Sequence, residues 1–358
     1  MIRWRSGTVT ALRREWQGAA EIMVSVDGAE VRALAYPALT GAPRVGDQVL
    51  LNVGALQRGL GTGGYAFVVA IPGRLPVDSD HPDTGHIVKS RYTPLQVMVS
   101  SVEEQGSPHR ELLRDAASVD GMPVVVADLH SALPAVLAGL FAARPSCRAV
   151  YVMQDGGALP AWFSRTVAGL RDAGWLAATV TTGQSFGGDL EAVTVHSGLL
   201  AARHVAGADV AVVAQGPGNL GTGTRWGFSG VAAGEAVNAA AVLGGRPVAS
   251  LRLSDADSRS RHQGVSHHSI TAYGRVALAA CDVAVPELLE PLGSRVAADV
   301  APLALRHRLV RVPVDGLESA LRACPVPLST MGRDLDEDLA YFLAAAAAGR
   351  VAAGLLAV

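Results

Sequence analysis

Val210-Ala211-Val212-Val213-Ala214-Gln215-Gly216-Pro217-Gly218 is a run of five apolar residues that stops on a glutamine and opens a glycine loop. The loop continues through Asn219-Leu220-Gly221-Thr222-Gly223-Thr224-Arg225-Trp226-Gly227-Phe228-Ser229-Gly230. A helix-length segment, Ser229–Leu243, follows, and then a second strand-like run, Pro247–Leu253. An apolar strand without polar alternation is expected where both faces of a sheet are covered by helices. Strand, crossover helix and next strand together predict a βαβ unit.

The same alternation extends outward from this stretch. Pro123–Ala127, Ala149–Met153 and Ala177–Thr181 read as earlier strands, with helices at Ala132–Ala143, Trp162–Ala173 and Leu199–Ala206. Leu190–Val195 and Arg308–Val314 read as additional strands, and Leu317–Ala323 and Leu335–Ala352 as late helices. The expectation for residues 121–358 is an α/β domain with a doubly wound, mainly parallel, Rossmann-like sheet. Residues 1–72 differ. Five short strands (Gly7–Leu12, Ala20–Val26, Glu30–Ala35, Gln48–Val53 and Tyr65–Ala70) are joined by turn signals such as Asp27-Gly28 and Gly46-Asp47. They predict a small all-β, barrel-like domain with a packing or oligomerisation role, so a homo-oligomer is kept open. Residues 73–120, with Pro76, Pro82 and Pro94, read as a connector.

Composition narrows the function classes. The chain has 358 residues, 49% hydrophobic and 17% charged, which suits two compact domains and not a disordered chain. Thirty basic against 32 acidic residues give a net charge of −2, which argues against coating nucleic acid or an anionic membrane. Three cysteines without C-x-x-C pairing, and an N-terminus leading to no apolar h-region, lead us to expect a reducing cytoplasm. The alanine-rich C-terminus, preceded by Asp334, Asp336, Glu337 and Asp338, reads as a packed helix and not a membrane span. A small anionic molecule is the expected partner.

Where chemistry should sit follows from the strand ends. The expected strands end in Asp128-Leu129-His130, Gln154-Asp155-Gly156, Thr182-Gly183-Gln184, Gln215-Gly216 and Ser254-Asp255. In open parallel sheets the ligand crevice lies at that edge. The glycine loop precedes a helix, so its bare N–H groups suit a phosphate. Gly216, Gly218, Asn219, Gly221, Thr222, Gly223 and Thr224 are the candidate anion ligands. No Gly-Lys-Ser/Thr follows, which excludes a Walker A loop. The Gly216-x-Gly218-x-x-Gly221 spacing lacks the following acidic residue that a dinucleotide needs, so no dinucleotide cofactor is expected.

The densest ionisable stretch is Asp255-Ala256-Asp257-Ser258-Arg259-Ser260-Arg261-His262-Gln263-Gly264-Val265-Ser266-His267-His268. Two readings compete. Arg259 and Arg261 clamp an anion while a histidine moves protons, or Asp255, Asp257, His262, His267 and His268 bind a divalent metal. His130, Gln154 and Asp155 are expected to line the same pocket. Lys89 is the only lysine among thirty basic residues; with Arg91 it is expected to reach that crevice too, because ammonium and guanidinium are not equivalent. Ser131 and Ser197 read as helix caps.

The stretches His86 to Gln96, Gln215 to Gly230 and Ser254 to Tyr273, in this order and at this length, resemble a bacterial family of unknown function, DUF3866. The resemblance covers nearly the whole chain. It implies no activity and assigns no residue. Residue chemistry leaves three expectations: an enzyme acting on a phosphorylated or nucleotide-like small molecule, a metal-dependent hydrolase using the loop 255–268, and a non-catalytic metabolite sensor.

Overall fold

A computed structural model describes residues 2–76 and 85–357; Pro82 of the expected connector lies outside them. The chain divides into two units, Met1–Val99 and Ser100–Val358, so the boundary falls inside the stretch read as connector.

The first unit is a closed barrel of β1 (Trp4–Trp16), β2 (Ala19–Val26), β3 (Ala29–Ala35), β4 (Gln48–Asn52) and β5 (Ala66–Ala70), in the order β1-β2-β3-β5-β4. Strand β1 is longer than the periodicity predicts. It pairs with β4 at its start and β2 along the rest, with register shifts at Val9/Ala11 and Leu12/Glu15. Such bulges bend a strand, which lets one element serve both sides of the closure. Asp27 and Gly28 both take positive φ, as the hairpin turn between β2 and β3 requires. Ile22, Val24, Ala33, Leu51 and Val68 fill the interior. Two short strands, β6 (Ile87–Lys89) and β7 (Val97–Val99), then pair antiparallel.

The second unit is built on an eight-stranded, all-parallel sheet. Its strands are β8 (Pro123–Val126), β9 (Ala149–Gln154), β10 (Ala178–Thr181), β11 (Leu190–Glu191), β12 (Val210–Gln215) and β13 (Arg246–Ser250), followed later by β16 (Asp282–Pro286) and β17 (Arg308–Val312). Between β13 and β16 the chain makes a separate antiparallel ladder of β14 (Leu253–Ser254) with β15 (Gly264–Val265). The sheet order is β11-β10-β9-β12-β8-β13-β16-β17. Successive strand residues point to opposite faces, so Val124 and Val126 feed one core and Val125 the other.

Each core takes its own helices. Val195–Leu200, Ala232–Val242 and Leu292–Val300 cover one face. Leu133–Ala143, Leu317–Arg322 and the C-terminal Leu339–Leu355 cover the other. The doubly wound expectation is met. Leu339–Leu355 crosses Leu133–Ala143 closely. A Cβ on Gly349 would stand 1.9 Å from Val136 O, and one on Gly139 1.9 Å from Ala346 O. Among the described residues no helix is long and apolar enough to cross a membrane. Two helix-start expectations are corrected. Thr194, not Ser197, caps its helix, with Ser197 closing a capping box from the third position. Ser131 caps nothing; its hydroxyl bonds Tyr341 and Thr330.

Candidate functional site

The sheet order locates the crevice. Strand β8 is followed by a helix on one face, while its neighbours β12 and β13 are followed by helices on the other. Chains that leave adjacent strands toward opposite faces open a cleft at the carboxyl edge. The glycine loop leaves β12 and the polar loop follows β13. These strands are not neighbours; β8 lies between them and places Asp128 at the middle of the cleft.

The polar loop is pinned at its base. Beyond the two residue pairs of β14 and β15, Ser266 N donates to Arg252 O (2.8 Å) and Arg252 N donates to Ser269 Oγ (2.9 Å). Ser266 caps the helix His267–Thr271, its hydroxyl accepting from His268 N at 3.2 Å. That helix runs on through a turn closed by Ala277 N to Ala272 O, an i to i+5 bond. The turn sets Tyr273, whose buried hydroxyl lies 2.9 Å from Val126 O and 3.1 Å from Ser250 O, at the ends of β8 and β13. The first turn of the helix is thereby fixed to the edge of the sheet.

This framework brings three histidines together. The rings of His262, His267 and His268 have centroids 4.5 to 5.1 Å apart. One nitrogen of each ring lies within 4.8 Å of the other two. His262 Nδ1 is 2.7 Å from Ser266 Oγ, and His267 Nε2 is buried without a partner. Burial holds His262 down to about 3 and His267 down to about 4, with the positive charges nearby adding to the effect. Both imidazoles are neutral at pH 7, with lone pairs available.

Two residues behind His268 were not among the candidates. Arg252 Nη1 is 3.0 Å from His268 Nδ1, and Asp128 Oδ2 is 3.5 Å from the same nitrogen and 3.9 Å from Arg252 Nη1. Asp128 and Arg252 are 3% and 5% exposed, and Asp128 Oδ2 has no hydrogen-bond partner. Their signals were a lone arginine between two leucines, Leu251-Arg252-Leu253, and an aspartate ending an all-apolar strand.

The glycine loop meets this cluster at two points. Phe228 stacks on His268, with centroids 3.8 Å apart and planes within 5°. A Cβ on Gly223 would touch the Arg261 guanidinium at 3.6 Å. At the helix start Asp128 packs closely, its Cβ 2.9 Å from where a Cβ on Gly230 would stand. The loop's hydroxyls close the loop itself. Thr222 and Thr224 bond each other and Gly227, while Asn219 accepts from Gln215 Nε2 and Ser229 Oγ. Arg261, exposed, is a cation beside the loop, and Arg225, also exposed, lies in it.

The other candidates have contacts of their own. Asp257 accepts a bidentate pair from Arg259 (2.9 and 2.7 Å), which holds its carboxyl far below the usual range; Arg333 approaches it at 3.5 Å. Arg333 also binds Asp338 (2.9 Å), whose carboxylate accepts from Ser254 Oγ. Asp255 is exposed, and neither aspartate joins the histidine group. His130 is buried between Tyr151 OH (3.0 Å) and Ser164 Oγ (2.7 Å). Asp155 accepts from Gln184 N (2.8 Å), and Gln154 ends β9 in register with Gln215. Lys89, fully buried on β6, and Arg91 belong to the first unit.

Residues 32–349 match the family model described as protein of unknown function (DUF3866), and the chain belongs to that family. No curated protein matches the chain.

Proposed function

We propose that the crevice at the carboxyl ends of β8, β12 and β13 is the active site of a metal-dependent hydrolase acting on an anionic, phosphorylated small molecule. The observation that carries this reading is the convergence of one nitrogen from each of His262, His267 and His268 within 4.8 Å. Three histidines leaving one position open are the ligand set of a catalytic zinc ion. A tetrahedral ion would need the nitrogens ~3.4 Å apart, so the rings would have to close inward to hold it. The metal would supply Lewis acidity and an activated water. Arg261, exposed beside Gly223, would neutralise the substrate anion, and the loop 216–227 would cover it. Arg259, held by Asp257, serves the frame and not the substrate.

The experiment is metal analysis of the purified protein, followed by a phosphoester hydrolysis panel with and without chelator. One equivalent of a transition metal is expected. It should be lost in His262→Ala, His267→Ala and His268→Ala and kept in Arg261→Ala, which should raise KM. A protein that binds no transition metal with all three histidines present would overturn the reading. Metal binding without turnover on any phosphoester would leave a binding module in place of the hydrolase.

A further inference from the structure

We propose that Asp128 and Arg252 decide which ring nitrogen of His268 carries its proton, and that a metal ion is taken up with His268 in the Asp128-bonded form. The inference rests on the metal reading above and assigns to it two positioning residues outside the polar loop.

Hydrogen-bond chemistry at one nitrogen carries the argument. A guanidinium is a donor only. With Arg252 Nη1 at 3.0 Å, His268 Nδ1 must accept, and the neutral ring then holds its proton on Nε2. Nδ1 faces a cation and cannot also face a metal, so the nitrogen left for the ion is Nε2. A protonated Nε2 cannot ligate. The ligand form therefore needs the proton on Nδ1 and an acceptor to receive it. Asp128 Oδ2 lies 3.5 Å from that nitrogen, buried and without a hydrogen-bond partner. Histidines that ligate metals characteristically donate their second N–H to such a carboxylate.

The exchange balances. One proton leaves Nε2 and one arrives at Nδ1, so the ring stays neutral. Arg252, 3.9 Å from Asp128 Oδ2, moves from the ring to the carboxylate as the ring turns. Phe228, stacked flat on His268, allows the ring to slide in its plane but not to tip. Asp128 is itself held in place. Its backbone oxygen accepts from Gln215 Nε2 at 2.8 Å, and its Cβ fills the space beside Gly230.

Nitrogen-detected NMR of the histidine side chains, with His268 assigned by its loss in His268→Gln, reads the tautomer directly. Without added metal we expect His268 protonated on Nε2. With saturating zinc we expect the proton on Nδ1 and the metal shift on Nε2. Zinc affinity should fall 10- to 100-fold in Asp128→Asn, the range for second-sphere partners of metal ligands. His267→Ala serves as control for the metal reading. If zinc binds neither more weakly to that variant nor at one equivalent to the unaltered protein, the metal reading fails and takes this inference with it. If zinc binds and His267→Ala weakens it, two results overturn the inference alone. One is a loaded His268 still protonated on Nε2; the other is an affinity unchanged in Asp128→Asn. Should Asp128→Asn not fold, the tautomer in the unaltered protein decides.

Discussion

Lowering the pH should destabilise the second unit through one buried ring. His130 is enclosed by Tyr151 and Ser164, and burial holds it down to about 4. In the unfolded chain it takes up a proton near 6.5. Between those values the unfolded state binds the proton and the folded state does not. Stability is complete above pH 6.5 and falls as pH drops toward 4. The interval is worth roughly 3 kcal/mol at ~1.4 kcal/mol per pH unit. That is a sizeable share of the ~5–15 kcal/mol that holds an ordinary domain together. Urea denaturation followed by circular dichroism at pH 7, 6, 5 and 4.5, in chelator, measures it against His130→Gln. Glutamine keeps a donor and an acceptor without a titrating ring. The variant should start lower and lose ~1.4 kcal/mol less per pH unit below 6.5. His262 and His267 push in the same direction but act equally in both proteins, so the difference isolates His130. Parallel curves would refute the assignment of a buried, neutral His130.

Three other outcomes are expected. Gly349→Ala drives a methyl into Val136 O and should cost at least about 2 kcal/mol, read as a lower denaturation midpoint at unchanged slope. Arg333→Ala strips the fully buried Asp338 of its cation, so a loss of about 3 kcal/mol is expected, with faster amide exchange across the polar loop; Arg333→Lys should restore part of it. Phe228→Leu removes the stack on His268, worth about 1 kcal/mol, and should raise amide exchange in the loop 216–227.

The element list was largely legible because its signals are local. Asp27-Gly28 marks a hairpin in any context, and the runs at β8, β9 and β12 are too apolar to lie anywhere but inside a covered sheet. Strand β16 was missed: Asp282–Pro286 is short and ends on a proline. The helix at His267–Thr271 was also missed, since His, Ser and Thr are poor helix formers and Ser266 and packing secure it. Pro247–Leu253 is one run in sequence but two elements in space, because the chain leaves the sheet after Ser250 to pair with Val265.

The site was legible in part for a different reason. Three histidines in seven positions announce themselves, but strand order does not. Nothing local shows that β8 runs between β12 and β13. Asp128 therefore reads as one strand end among five, and Arg252 as one residue of the run Pro247–Leu253. At the helix start Gly230 gives its space to Asp128, a packing that the glycine spacing alone does not reveal.

The bond from Ser254 to Asp338 spans 84 positions, and Arg333 and Asp338 tether the polar loop from near the end of the chain. During synthesis the histidines therefore leave the ribosome long before the residues that brace their loop. Until Arg333 and Asp338 have been made, a nascent chain holds the polar loop by its base contacts alone. A product that stops before Arg333 should lack these braces as well.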